Sequence, residues 1–249
     1  MTKNNIAVNA QASTFASLKN VALAMRVMDH LVNRQQNMPG IGAMYGPSGY
    51  GKSTAMAAVA NKHRAVYVEC RSYYTKKSLL LAILDELALR PGRTVYEMVN
   101  QIGEELLLSR RPLIIDEMDH IVDRNLVELV RDIYEVSGAA ILMVGEETFP
   151  AKLKRWERFH NRVLDWCPAE PTDLDDARKL AKLYSHDVAI EDDLLTAIVK
   201  ATRGVTRRVV VNIETVRQEA KKAGVRAIDA KTWGTRPFFT GEAPARRSI

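Results

Sequence analysis

Gly46-Pro47-Ser48-Gly49-Tyr50-Gly51-Lys52-Ser53 is the stretch on which the reading of this chain turns. It fits G-x-x-x-x-G-K-[ST] at every fixed position. An apolar run, Ile41–Tyr45, precedes it, and a helical stretch rich in alanine and methionine, Lys52–His63, follows. Glycines permit a tight loop whose backbone N–H groups turn inward toward an anion. A helix starting near Lys52 adds the positive end of its dipole. In such a loop Lys52 supplies a point charge to the outer phosphates, and Ser53 supplies a hydroxyl to Mg²⁺. Thr54 follows in the same first turn. The pattern predicts a phosphate cradle over residues 46–54.

Outward from that loop, short apolar strands alternate with helices. Strands are expected at Ile41–Tyr45, Val66–Cys70, Pro112–Ile115, Ala139–Val144 and Val163–Trp166. Helices are expected at Lys52–His63, Lys76–Leu89, Val95–Leu108, Leu126–Ser137 and Ala151–Phe159, the last of them basic. This alternation argues for an α/β fold with a parallel sheet covered on both faces. Upstream, Thr14 to about Gln36 has Phe15, Leu18, Val21, Met25, Met28 and Leu31 at helical spacing. Downstream of Pro168 and Pro171 the strands stop. Asp173–Ser185, Glu191–Thr202 and Thr206–Ala223 read as helices, so a small all-helical domain follows the sheet. From Trp233 onward the composition suggests a loose tail. The expected division is 1–40 extension, 41–168 sheet domain, 169–225 helical lid, 226–249 basic tail.

A second polar group stands at the end of the third strand, in Leu113-Ile114-Ile115-Asp116-Glu117. Mg²⁺ takes hard oxygen ligands, and Asp116 at a strand end would hold it through water. Glu117, next to it, could polarise a water attacking a terminal phosphate. General-base help of this kind is worth about 10²–10⁴-fold.

Composition sets the outer bounds. The chain has 249 residues, 47% of them apolar and 27% charged, which excludes a mostly disordered protein. No run of about 18 apolar residues occurs, so no transmembrane helix and no membrane partner are expected. The first residues carry no apolar stretch of the secretory type. The two cysteines, Cys70 and Cys167, form neither a metal pattern nor a disulfide framework, and a reducing cytoplasm is the simplest expectation. Net charge is +6, and it is uneven: residues 200–249 hold twelve Lys/Arg and four Asp/Glu. Such asymmetry points to a polyanionic partner, nucleic acid first.

The two motifs, with a sheet domain followed by a small helical one, resemble the AAA+ ATPases over roughly Leu18 to Gly224. That resemblance implies ATP and Mg²⁺ as cofactors and ATP hydrolysis as the reaction. It implies a polar sensor after the strand Ala140–Gly145. Glu146 departs from the usual Asn or Thr there, and Thr148 is the alternative. It also implies an arginine that reaches the nucleotide of a neighbouring subunit, for which Arg158 and Arg162 match the R-F-x-x-R arrangement. In Gly204-Val205-Thr206-Arg207-Arg208 it implies a second sensor, Arg207 first and Arg208 second, which would let ATP bridge the two domains.

Within that family the chain looks most like the transposition ATPases. The likeness lies in Leu113–Ile121, in the V-G-x-x-x-x-x-x-L stretch from Val144 to Leu153, and in the R-F-x-x-R-V run from Arg158 to Val163. It implies self-assembly into a ring or helical filament on double-stranded DNA, marking of target DNA and recruitment of a transposase. The alternative is a helicase loader or replication initiator of the same fold. Contacts to DNA phosphates are expected from Arg71, Tyr73, Lys76 and Lys77, in a strand-to-helix turn, joined by Arg90, Arg93 and Thr94. Such binding is largely independent of sequence and weakens with salt. The basic C-terminal segment, including Lys221, Lys222, Arg226, Lys231, Arg236, Arg246 and Arg247, would add DNA affinity or dock the transposase.

Overall fold

The computed structural model describes residues 18–242, so the candidate helix residues 14–17 and the tail arginines Arg246 and Arg247 lie outside the described residues. By contacts, Asn20–Pro47 and Lys52–Ala169 make one compact unit, and Ser48–Gly51 groups with the chain from Glu170 onward in the other.

The first unit is built on a five-stranded sheet in the order β2-β3-β4-β1-β5. Its strands are β1 (Ile41–Tyr45), β2 (Val66–Glu69), β3 (Leu113–Asp116), β4 (Ile141–Gly145) and β5 (Val163–Pro168). Every pairing is parallel, with Ile41 opposite Ile141, Leu113 opposite Ile141 and Glu69 opposite Asp116. The expected parallel α/β fold is therefore what forms. Parallel strands need crossovers, and helices supply them: α2 (Lys52–His63), α3 (Lys76–Glu86), α4 (Val95–Ser109), α5 (Asp119–Asp123), α6 (Val127–Ser137), α7 (Phe149–Leu153) and α8 (Glu157–His160). α1 (Lys19–Val32) precedes β1 and buries Val21, Ala24, Val27, Met28 and Leu31 on one face. All residues of β3 and β4 are buried, and Ile41, Ile115, Ile141, Met143 and Phe149 share one core. Strands covered on both faces must be apolar along their length.

One helix expected from the pattern breaks in two. The segment read as Ala151–Phe159 forms α7 and α8 instead, with Trp156 in a non-helical conformation at the start of α8. Arg155 leaves the helical path to donate to the Val122 carbonyl at 2.7 Å, and its guanidinium lies over the Trp156 ring.

The second unit packs α9 (Leu174–Tyr184), α10 (Asp192–Thr202), α11 (Thr206–Lys222) and α12 (Ala230–Trp233) around Leu180, Leu194, Ile198, Val209, Ile213 and Val216. Asp173 caps α9, its side chain accepting from the Asp176 N–H at 2.9 Å. The unit is not all-helical as expected. β6 (Ala189–Ile190) pairs in parallel with β7 (Ala227–Ile228), a two-residue match too short to show as a sequence period.

Nor is the segment after residue 226 a loose tail as far as it is described. Asn212 on α11 is buried, donates from Nδ2 to the Phe239 carbonyl at 2.9 Å, and accepts the Phe239 N–H on Oδ1 at 2.8 Å. Phe238 stacks on Trp233 with ring centroids 5.8 Å apart. One buried amide thus stands in for a strand partner, which composition cannot reveal. Asn212→Ala should cost about 1–3 kcal/mol in urea unfolding of the full chain, because the Phe239 backbone groups lose their partner. Chymotryptic cleavage after Phe239 should accelerate with it.

Candidate functional site

Strands β1, β3 and β4 end on one edge of the sheet, and the functional side chains follow from those ends. Beyond Tyr45 the chain enters the glycine loop. Gly49 and Gly51 have φ of +84° and +79°, where a side chain would be strained. Lys52 opens α2, and its ammonium donates back to the Gly46 carbonyl at 2.6 Å and the Pro47 carbonyl at 3.0 Å. Burial pulls the Lys52 pKa down, while the carboxylates of Glu117, Asp116, Glu146 and Asp119 push it up. Ser53 and Thr54, in the first turn of α2, are exposed.

At the end of β3, Asp116 is 2% exposed and accepts on both oxygens. Oδ2 takes the Tyr67 hydroxyl at 2.8 Å, and Oδ1 takes the Glu117 N–H at 2.8 Å. Glu117 itself has φ of +55°, a conformation that costs a residue with a side chain about 1–3 kcal/mol. Burial and then the Asp116 charge raise the Glu117 pKa, and Lys52 and His120 oppose that shift. Burial, reinforced by Asp116, holds the Tyr67 hydroxyl far above its ordinary pKa, so it stays a donor. After β4, the Glu146 N–H donates to Asp119 Oδ2 at 2.6 Å, and Asp119 Oδ1 meets Lys152 at 3.1 Å. Of the two sensor candidates, Glu146 is the one whose charge acts on Lys52 and Glu117.

The charges of four carboxylates therefore act on one ammonium. A polyphosphate alone would be repelled by that excess, and a divalent cation would offset it. Asp116, with lone pairs left after its two hydrogen bonds, and the Ser53 hydroxyl are hard oxygen donors of the type Mg²⁺ takes. The residues present fit a magnesium–polyphosphate ligand.

The two finger candidates differ. The Arg162 guanidinium donates to Glu135 and, at 2.7 Å, to the Arg158 carbonyl. The Arg158 side chain is exposed and has no partner among the described residues. In the second unit the Arg207 N–H donates to the Gly49 carbonyl at 3.0 Å, and its side chain is exposed. Arg208 instead lies against Gly241, where a Cβ would come within 2.9 Å of its Nε.

The expected DNA contacts fall at two helix starts. Thr75 and Thr94 cap α3 and α4 by capping boxes with Ser78 and Glu97, so both hydroxyls are already engaged. Lys76, Lys77 and Arg93 are exposed, and Tyr73 is 70% exposed. Arg71 is paired with Glu69 at 2.9 Å. A groove of about 570 Å³ brings Lys76 beside Val95 and Tyr96, which places the starts of α3 and α4 together; Glu128 and Asp132 line it too. Tyr67 and Asp119 went unread in the sequence. No motif contains Tyr67, and only the β2–β3 register brings it to Asp116.

Residues 35–153 match the family model described as an AAA domain. Over this segment the chain is similar to an AAA domain. The match covers somewhat under half of the chain. No curated protein matches by sequence. Among solved structures, the ORC2 protein of Aeropyrum pernix, in ADPNP–ADP complexes, is similar at TM-score 0.62 and 15% identity, over 86% of this chain and 65% of that one. The Aeropyrum pernix ORC1 protein in complex with DNA is similar at TM-score 0.58 and 17% identity, over 86% and 62%. The RuvB Holliday junction branch migration motor of Thermotoga maritima is similar at TM-score 0.58 and 19% identity, over 86% and 66%. The chain spans just under two thirds of the length of these proteins, and at such identities the likeness is one of fold. Among the described residues no helix is long and apolar enough to cross a membrane.

The two arginines, Arg158 and Arg162, should separate by stability. Arg162→Ala should lower the unfolding free energy by about 0.5–1 kcal/mol, as expected for loss of a partly exposed pair. Arg158→Ala should stay within about 0.5 kcal/mol of wild type. Urea unfolding of both variants checks this.

Proposed function

We propose that the chain is an ATPase whose nucleotide cycle controls its assembly on double-stranded DNA. The observation that carries this reading is the gathering of Lys52, Asp116 and Glu117 at one edge of the sheet of an AAA-type P-loop domain. In this reading Gly46, Pro47, Ser48, Gly49, Tyr50, Gly51, Lys52, Ser53 and Thr54 hold the phosphates. Ser53 and Asp116 would hold Mg²⁺, which supplies positive charge against the phosphate oxygens. Glu117 takes a proton from the attacking water. The water oxygen bonds to the terminal phosphorus, and the bond to the ADP oxygen breaks. The raised pKa of Glu117 suits a group that must accept a proton.

Arg158, unpaired among the described residues, is the better finger for a neighbouring subunit, since Arg162 is already engaged. Arg207 is the better second sensor, since its side chain is exposed while Arg208 lies against Gly241. Lys76, Lys77 and Arg93 at two helix starts would grip DNA phosphates, whereas Arg71 is partly neutralised by Glu69.

Two outputs fit this cycle. Likeness to the ORC proteins of Aeropyrum pernix, and to Cdc6 of Pyrobaculum aerophilum at TM-score 0.59, supports a replication-initiator or loader type more than the other. The sequence runs Leu113–Ile121, Val144–Leu153 and Arg158–Val163 support selection of transposition targets, with a transposase as partner. Stimulation by a transposase on duplex DNA would favour the second, and action on a helicase the first.

Lys52→Ala should abolish ATP binding and DNA assembly together, measured with a fluorescent ATP analogue and by sedimentation with duplex DNA. Glu117→Gln should bind ATP but release phosphate about 10²–10⁴-fold more slowly, leaving long-lived DNA complexes. Lys76→Ala with Lys77→Ala should weaken duplex binding and shallow the slope of log affinity against log salt by up to about 2. An unchanged slope would place the DNA surface elsewhere.

A further inference from the structure

Tyr67 belongs to no motif, yet it holds the one strand-end carboxylate that would face the cation. On β2 it stands two residues before Glu69, so the two side chains share a face of the sheet. The register sets Tyr67 opposite Ile114 and Glu69 opposite Asp116. Tyr67 is therefore diagonal to Asp116, a separation that a long aromatic side chain can cross. Its hydroxyl reaches Oδ2 at 2.8 Å. The other oxygen, Oδ1, is held by the Glu117 N–H at 2.8 Å.

The two donors come from different elements, one from a neighbouring strand and one from the turn that follows β3. Rotation of the carboxylate about its Cβ–Cγ bond would lose both. Glu69 lies directly across the ladder from Asp116 and is itself paired with Arg71 at 2.9 Å. The oxygen nearest β2 is thus left with a neutral donor as its partner.

We propose that Tyr67 is a positioning residue: its hydroxyl sets the plane of the Asp116 carboxylate and so sets how tightly a divalent cation is held with the nucleotide. The inference rests on the nucleotide reading of this site. Mg²⁺ demands near-ideal octahedral geometry, so a ligand free to turn serves it poorly. Loss of a hydrogen-bond partner behind a metal ligand typically weakens metal affinity about 10–100-fold. Tyr67→Phe removes only the hydroxyl and leaves the ring to pack.

The test titrates Mg²⁺ into full-length protein with a fixed amount of a fluorescent, non-hydrolysable ATP analogue, beside a metal-free arm. The Mg²⁺ concentration for half-maximal analogue binding should rise about 10-fold or more in Tyr67→Phe, with metal-free binding unchanged. A merely structural tyrosine would shift the unfolding midpoint and leave the Mg²⁺ half-point at the wild-type value, and that result overturns the proposal. Asp116→Asn provides a second check. Adding Tyr67→Phe to it should move the Mg²⁺ half-point no further, because the hydroxyl acts through the carboxylate. A further 10-fold loss in that background overturns the proposal as well. If wild type binds the analogue in neither arm, the nucleotide reading falls and takes this inference with it, whereas binding indifferent to Mg²⁺ overturns this inference alone. A responsive wild type matched by its variant sinks only the role of Tyr67.

Discussion

Strands buried on both faces leave polar groups only one place to go. β3 and β4 are buried at every residue, and β1 is buried until its last. A charged group inside that sheet would need a partner that an apolar core does not supply. Polar chemistry is therefore confined to the strand ends, and the parallel order β2-β3-β4-β1-β5 brings those ends to one edge. In open parallel sheets ligands bind at that carboxyl edge. Gly46, Asp116 and Glu146 each follow directly from this constraint, one at or just past the end of each of three strands.

The edge carries strain and uneven charge together. Glu117 is held with φ of +55°, and its N–H is tied to the Asp116 side chain. That bond offsets part of the conformational cost. Nearby, burial and the carboxylates act on Lys52 in opposite directions. Such a balance suits a site that a cationic and a polyanionic group enter together. The Asp119 carboxylate fixes the backbone just past β4 through the Glu146 N–H, so the ends of β3 and β4 are linked by a side chain and not only by the ladder.

Engagement of side chains, more than their identity, distinguishes the candidates within each pair that the sequence named. Arg158 and Arg162 carry the same charge on the same motif, and only Arg162 is bound to Glu135. Arg207 and Arg208 are neighbours, and only Arg208 is covered by the segment around Gly241. The Thr94 hydroxyl looks available for phosphate in the sequence, yet it serves as a helix cap. A side chain already satisfied must break a bond before it can serve a ligand.

Local pattern alone determined the glycine loop, the alternation of short apolar strands with helices, and Asp116–Glu117 at a strand end. Each depends on residues adjacent in the chain, where turn chemistry and burial period are written directly. Tertiary structure alone decided that Tyr67 meets Asp116, that Asp119 meets the Glu146 backbone, and that Asn212 pins Phe239. The residues in these pairs lie 49, 27 and 27 positions apart. It decided the β6–β7 pairing and the break between α7 and α8 in the same way. Contacts at such separations depend on register and packing, and a linear pattern carries neither.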